Sequence, residues 1–146
     1  MPGYYRCEGN DCGDGAQRQN GNCDKDGCDF NAFRNGNQQF YGPGSQYQVD
    51  TTRPFKVVTQ FITSDGTQNG ELTEIKQFYV QNGKKIQIPG TKVPGLDPYN
   101  SLNNKNCANQ KKVFGEPPTF TSRGGMKAMG EALKRGMVLV MSLWDD

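Results

Sequence analysis

The chain has no histidine, a single tryptophan and no apolar run longer than Met137 to Met141. A run that short cannot cross a bilayer, which takes about 20 apolar residues. No secretory apolar segment follows Met1, so the chain reads either as cytosolic or as lacking its true N-terminus. Charge of one sign is missing too: the net charge is +2, and the basic residues are scattered without a polybasic block. That leaves no electrostatic case for a nucleic-acid partner. Core-forming residues are scarce, at 33 % hydrophobic, against 19 glycines and many Asn, Gln and Thr. This balance suits an all-β protein with long loops, or a piece of a larger core. There is no internal repeat, no low-complexity tract and no Asn-x-Ser/Thr sequon.

Five cysteines are present: Cys7, Cys12, Cys23, Cys28 and Cys107. Cys7-x4-Cys12 and Cys23-x4-Cys28 could form a four-thiolate zinc site, although the usual zinc spacing is tighter and no histidine is available. The other reading is disulfides in a secreted protein, in which an odd count leaves one thiol without a partner. A calcium loop is a further rival. Asn22-x-Asp24-x-Asp26-Gly27 resembles the opening of an EF-hand, but the twelfth position is Phe33 rather than Glu, and no helices flank it.

Residues 1–44 read as a loop region with little regular structure. Gln46 to Asp50 is a short strand. Phe55 to Thr63 is the clearest strand, with Phe55, Val57, Thr59 and Phe61 on one face; Val58 and Ile62 make the other face apolar too, which predicts burial between layers. Ser64 to Gly70 is a turn cluster. Glu71 to Val80 alternates as a strand, with Leu72, Glu74, Lys76 and Phe78 opposite Thr73, Ile75, Gln77 and Tyr79. Asn82-Gly83 predicts a type I′ hairpin turn, with Lys84 to Pro89 as the returning strand and Ile86 and Ile88 on one face. Gly90 to Pro118 reads as a long loop. Gly124 to Arg135 is the one helix, with Met126, Met129 and Leu133 in a stripe, Lys134 and Arg135 at its end and Gly136 to stop it. Met137 to Trp144 reads as a strand. Short strands with long Gly/Pro-rich connections predict an antiparallel β-sandwich.

Three separated blocks carry a resemblance. Cys23 to Gly44 reads CDKDGCDFNAFRNGNQQFYGPG, Thr52 to Ile62 reads TRPFKVVTQFI within its strand, and the chain ends MVLVMSLWDD. The first block sets cysteines, aspartates, an arginine and several aromatics in one Gly/Asn-rich loop system, which combines covalent staples, charge and flat aromatic surface as a carbohydrate groove needs. In order, spacing and wording, these blocks resemble the second half of a catalytic domain of glycoside hydrolase family 7, the secreted fungal and protist cellulases.

The resemblance implies an all-β, concanavalin-like antiparallel β-jelly-roll sandwich. Residues 1–146 would be an incomplete catalytic domain with disulfide-stapled loops, one short helix and missing N-terminal strands, and would fold poorly alone. It also implies the disulfides Cys7–Cys12 and Cys28–Cys107, with Cys23 joined to a cysteine upstream, so that truncation explains the odd count. A Cys28–Cys107 bond closes a loop of roughly 80 residues and stabilises by about 4–5 kcal/mol in the chain-entropy model.

Retaining glycosidases need two carboxyl groups about 5 Å apart. The family carries them in a Glu-x-Asp-x-x-Glu strand motif, which is absent here; Glu71 and Glu74 lack its flanking residues and read as solvent-facing charge. The resemblance puts the motif shortly before Met1, so no catalytic residue is assigned in this chain. It implies binding roles instead. Trp144 would be a sugar-stacking platform on the glycone side, its indole face packing on a glucose ring; on composition alone it reads as a core tryptophan. Arg18, Asp26, Asp29 and Arg34 would line the product side, where carboxylates and guanidinium groups suit vicinal hydroxyls. Their plain alternative is a surface Asp–Arg pair of little worth.

The expected activity is hydrolysis of cellulose by a processive cellobiohydrolase that releases cellobiose with retention, as part of a longer, extracellular, monomeric enzyme. The partners would be cellulose and cello-oligosaccharides, with no nucleic acid, membrane, metal or organic cofactor. MSLWDD resembles the cellobiohydrolase branch. Against it, the loop from Cys12 to Cys23 is shorter than in a fungal cellobiohydrolase of the family and lacks its tyrosine, which suggests a more open groove. The alternatives are an endoglucanase on the same scaffold and a non-catalytic, disulfide-stapled carbohydrate-binding module.

Overall fold

The structure, a computed structural model, describes residues 8–17, 20–21 and 25–141. Two short 3₁₀ turns, Gly9–Cys12 and Gly15–Gln17, open it. Strands β1 (Tyr41–Gly42) and β2 (Val49–Asp50) form a two-residue parallel pair. The main sheet holds β3 (Lys56–Thr63), β4 (Leu72–Gln81), β5 (Lys84–Gln87) and β6 (Ser101–Leu102). β4 is central and every pairing is antiparallel, with β3 on one side and β5 and β6 on the other. Helices α1 (Asn104–Val113), α2 (Thr119–Ser122) and α3 (Gly125–Arg135) follow.

The hairpin between β4 and β5 turns on Asn82 (φ 52°) and Gly83 (φ 74°). Two consecutive left-handed residues are what a type I′ turn requires, and Asn and Gly tolerate them best. The other end of β4 departs from simple alternation. Glu74 pairs with Ile62 but Leu72 pairs with Thr63, so Thr73 is an extra residue in a bulge. The bulge carries Leu72 to the face of Ile75 instead of opposite it. Both then pack with Leu102 against the helices, in a core of Leu72, Cys107, Phe120 and Met126 that Met129 and Leu133 also join. The stripe expected along α3 is thus the face that meets the sheet. A second core lies at the far end of the same face, where Phe40, Val49 and Ile88 meet Phe55, Tyr79 and Ile86. Gln81, buried at the end of β4, accepts from Asp50 N at 3.0 Å and donates to Asp50 O at 2.8 Å, tying β2 to the main sheet.

The architecture is mainly β with a few short helices, and it departs from several sequence expectations. Residues 90–118 are not all loop: α1 is capped by Asn103, whose side chain accepts from Asn106 N, and its inward positions are Cys107, Gln110 and Lys111. Two of those three are polar, which hides the helical stripe that hydrophobic periodicity detects. Helix α3 is therefore not alone. The strand Phe55 to Thr63 is not buried between layers: Val57 is 52 % exposed and Phe61 55 %. The run from Met137 to Met141 forms no strand; it leaves α3 at Gly136 as irregular chain, exposed by 59–87 %. β-Branched residues favour strands only where a neighbouring strand completes the ladder, and among the described residues this run has none. One extended sheet and the small parallel pair are what the described residues form; the second sheet of a jelly-roll sandwich is not among them.

Candidate functional site

The disulfide Cys28–Cys107 joins the loop after residue 25 to α1, with 5.7 Å between the Cα atoms. It spans 79 positions of sequence, so the acidic loop reaches the helix through one covalent tie. Cys12 is also disulfide-bonded. Its expected partner Cys7 lies outside the described residues, as does Cys23. With Cys12, Cys28 and Cys107 oxidised, the four-thiolate zinc reading loses its ligands.

Local hydrogen bonds shape the loop beyond Cys28. Asn31 Oδ1 accepts from Arg34 N at 3.0 Å, and its carbonyl accepts from Asn35 N at 3.0 Å. The buried Asn37 donates to Gly90 O at 2.8 Å, and Asn35 O accepts from Lys92 N at 2.9 Å. Gly36 sits at φ 86°, and a Cβ there would fall 2.9 Å from Lys92 Cβ. Both the backbone angle and the close approach call for glycine.

These constraints present Asp26, Asp29 and Arg34 to one cleft of about 450 Å³. Its opposite wall is α1 and the turn after it: Gln110, Lys111, Phe114 and Glu116. Arg34 Nη2 is ion-paired with Asp29 Oδ2, and both side chains remain more than half exposed. Lys111, mostly buried, is ion-paired with Glu116. Gln110 Nε2 donates to Asp29 Oδ1 at 3.4 Å, and Gln110 Oε1 accepts from Tyr99 OH at 2.7 Å. The Tyr99 ring meets Phe30 edge-on at 5.8 Å. Burial pushes the Tyr99 hydroxyl pKa up, the Asp29 charge adds to this, and Arg34 partly offsets it. The hydroxyl therefore stays protonated and remains a donor to Gln110.

The cleft offers carboxylate acceptors, a guanidinium donor and the partly exposed ring of Phe114. Paired acceptors and donors beside a flat apolar face match the edge and face of a sugar ring. The structure thus brings Asp26, Asp29 and Arg34 together. Arg18 and Trp144, the other expected binding residues, lie outside the described residues. Sequence reasoning missed the α1 wall, because it treated that stretch as loop. The signal that could have found it was Asn103 as a helix cap followed by Cys107, Gln110 and Lys111 at helical spacing.

A mainly β protein that carries a polar, aromatic-edged cleft on disulfide-anchored loops is the class that fold and site define. The chain belongs to glycosyl hydrolase family 7, whose sequence profile matches residues 1–146. A crystal structure of a family 7 cellobiohydrolase from Daphnia pulex is 51 % identical, with a TM-score of 0.89 over 97 % of this chain. The native endocellulase EGI of Humicola insolens is 38 % identical, with a TM-score of 0.78 over 97 % of this chain. A cellobiohydrolase from Melanocarpus albomyces, solved with cellotetraose, is 31 % identical, with a TM-score of 0.62 over 77 % of this chain. The chain spans 32 % of the Daphnia and Humicola structures and 24 % of the Melanocarpus one.

Proposed function

We propose that the chain is part of a secreted, retaining β-1,4-glucan hydrolase of the cellobiohydrolase type, acting processively on cellulose and releasing cellobiose. The observation that carries the reading is the convergence of Asp26, Asp29 and Arg34 on one cleft with Gln110 and Phe114. The similarity to the Daphnia cellobiohydrolase supports the type. The catalytic acid and nucleophile belong to the longer enzyme, since the chain has no Glu-x-Asp-x-x-Glu motif; two carboxyls suffice for the chemistry, and no metal or organic cofactor enters it. In this reading, Arg18, Asp26, Asp29 and Arg34 hold the leaving cellobiose by hydrogen bonds to its vicinal hydroxyls. Trp144 stacks on the glycone side and holds the glucan before cleavage.

The test is Asp26→Ala in the complete enzyme. Losing a charged hydrogen-bond partner is expected to raise the inhibition constant for cellobiose by about tenfold or more. Unchanged inhibition overturns the product-side assignment. A second reading, an endoglucanase on the same scaffold, draws on the short Cys12–Cys23 loop and on the likeness to the Humicola endocellulase. The ratio of soluble to insoluble reducing ends released from cellulose separates the two: mostly soluble ends support the processive enzyme, mostly insoluble ends the endoglucanase.

A further inference from the structure

We propose that Gln110 is a positioning residue for the Asp29 carboxylate, held in turn by Tyr99, so that the strength of cellobiose binding is set partly from behind the cleft. The inference rests on the reading of Asp29 as a product-binding residue. Its ground is a relay of polar contacts crossing from the interior to the cleft. Tyr99 OH donates to Gln110 Oε1 at 2.7 Å, and Gln110 Nε2 donates to Asp29 Oδ1 at 3.4 Å. The other Asp29 oxygen takes the Arg34 guanidinium.

Gln110 is only 6 % exposed. A glutamine so buried needs both ends of its amide satisfied, and here the two partners fix which way it faces. The Asp29 carboxylate can only accept, so the NH₂ group must face it, which leaves the amide oxygen to accept from the Tyr99 hydroxyl. That leaves each Asp29 oxygen with one protein partner and spare acceptor capacity, on a side chain that lines the cleft. A carboxylate held in this way loses less side-chain freedom when it meets a sugar hydroxyl than one swinging in solvent. The charged groups around the relay are Asp29, Arg34 and Asp26 from the loop and Lys111 and Glu116 from the α1 side, with Tyr99 behind.

The experiment uses the complete enzyme and measures competitive inhibition by cellobiose across pH for Asp29→Ala, Gln110→Leu, Gln110→Glu and Tyr99→Phe. Gln110→Leu keeps the volume, removes both hydrogen bonds, and is expected to weaken cellobiose binding about three- to tenfold. Tyr99→Phe keeps the ring on Phe30 and is expected to weaken binding less, and to add nothing in the Gln110→Leu background, because the relay is then already broken. Gln110→Glu supplies the signature that a general packing defect does not. At low pH a protonated glutamic acid can still donate to Asp29, so inhibition stays near that of the unaltered enzyme; as pH rises, two adjacent carboxylates repel and the inhibition constant climbs. If Asp29→Ala weakens cellobiose binding while Gln110→Leu does not, or if Gln110→Glu follows the unaltered pH profile, the positioning role is overturned and the product-side reading stands. If Asp29→Ala itself changes nothing, the product-side role of Asp29 falls, and the inference with it.

Discussion

Asp50 organises a turn at the edge of the second core with a single carboxylate oxygen. Its Oδ1 accepts from Gly44 N at 2.8 Å, Thr52 N at 3.0 Å and Thr52 Oγ1 at 2.7 Å. These bonds favour the ionised form and hold the carboxyl below its ordinary value of 3.8, led by the Thr52 hydroxyl and then the Gly44 N–H. Asp65 is lowered in the same way by the Thr67 N–H and hydroxyl. A carboxyl whose pKa is lowered on folding contributes stability that is whole above the unfolded value and lost as pH falls through the folded one. In the complete enzyme, Asp50→Asn is therefore expected to flatten part of the fall in melting temperature below about pH 4. Acid curves of the two proteins that run parallel would show that Asp50 contributes nothing to acid sensitivity. At this scale, Asp26, Asp29 and Arg34 were legible through the family resemblance, which carried them over by their spacing from Cys23 and Cys28. The partner Gln110 was not legible, because it is 81 positions from Asp29 and only the docking of α1 brings them together.

The elements carry a similar contrast. The β4–β5 hairpin was readable because Asn82-Gly83 encodes its own turn locally. The Thr73 bulge was not, because a strand's register depends on its partner, and one extra residue moved Leu72 to the other face. Helix α3 docks on β4 through Gly130, where an added Cβ would lie 2.7 Å from Leu72 Cβ. Alanine is the better helix former by about 1 kcal/mol in an exposed helix. Here the neighbour is the first atom of a buried side chain and cannot swing away. Gly130→Ala in the complete enzyme is thus expected to destabilise by about 1–3 kcal/mol despite its propensity, as overpacking does. A raised melting temperature would show that α3 shifts at no cost and that its contact with β4 is loose.

For the molecule as a whole, the apolar surface left uncovered matters most. Val57 and Phe61 on β3 and the whole run from Met137 to Met141 face solvent among the described residues. Exposed apolar surface on that scale marks an interface to be covered. The isolated 146-residue chain is expected to show no cooperative thermal transition and to bind a hydrophobic dye at ordinary temperature. A sharp transition together with cellulose binding by the isolated chain would instead support a self-contained carbohydrate-binding module. By itself the sequence determined the hairpin through local turn chemistry, helix α3 through local periodicity and the family through its matching blocks, and that resemblance in turn implied the Cys28–Cys107 staple and the three loop residues of the cleft. Tertiary structure alone decided the second wall of the cleft, the Leu72 face and, among the described residues, the irregular path of Met137 to Met141. Each of those depends on which distant segment lies alongside, and neither propensity nor spacing within one segment encodes that.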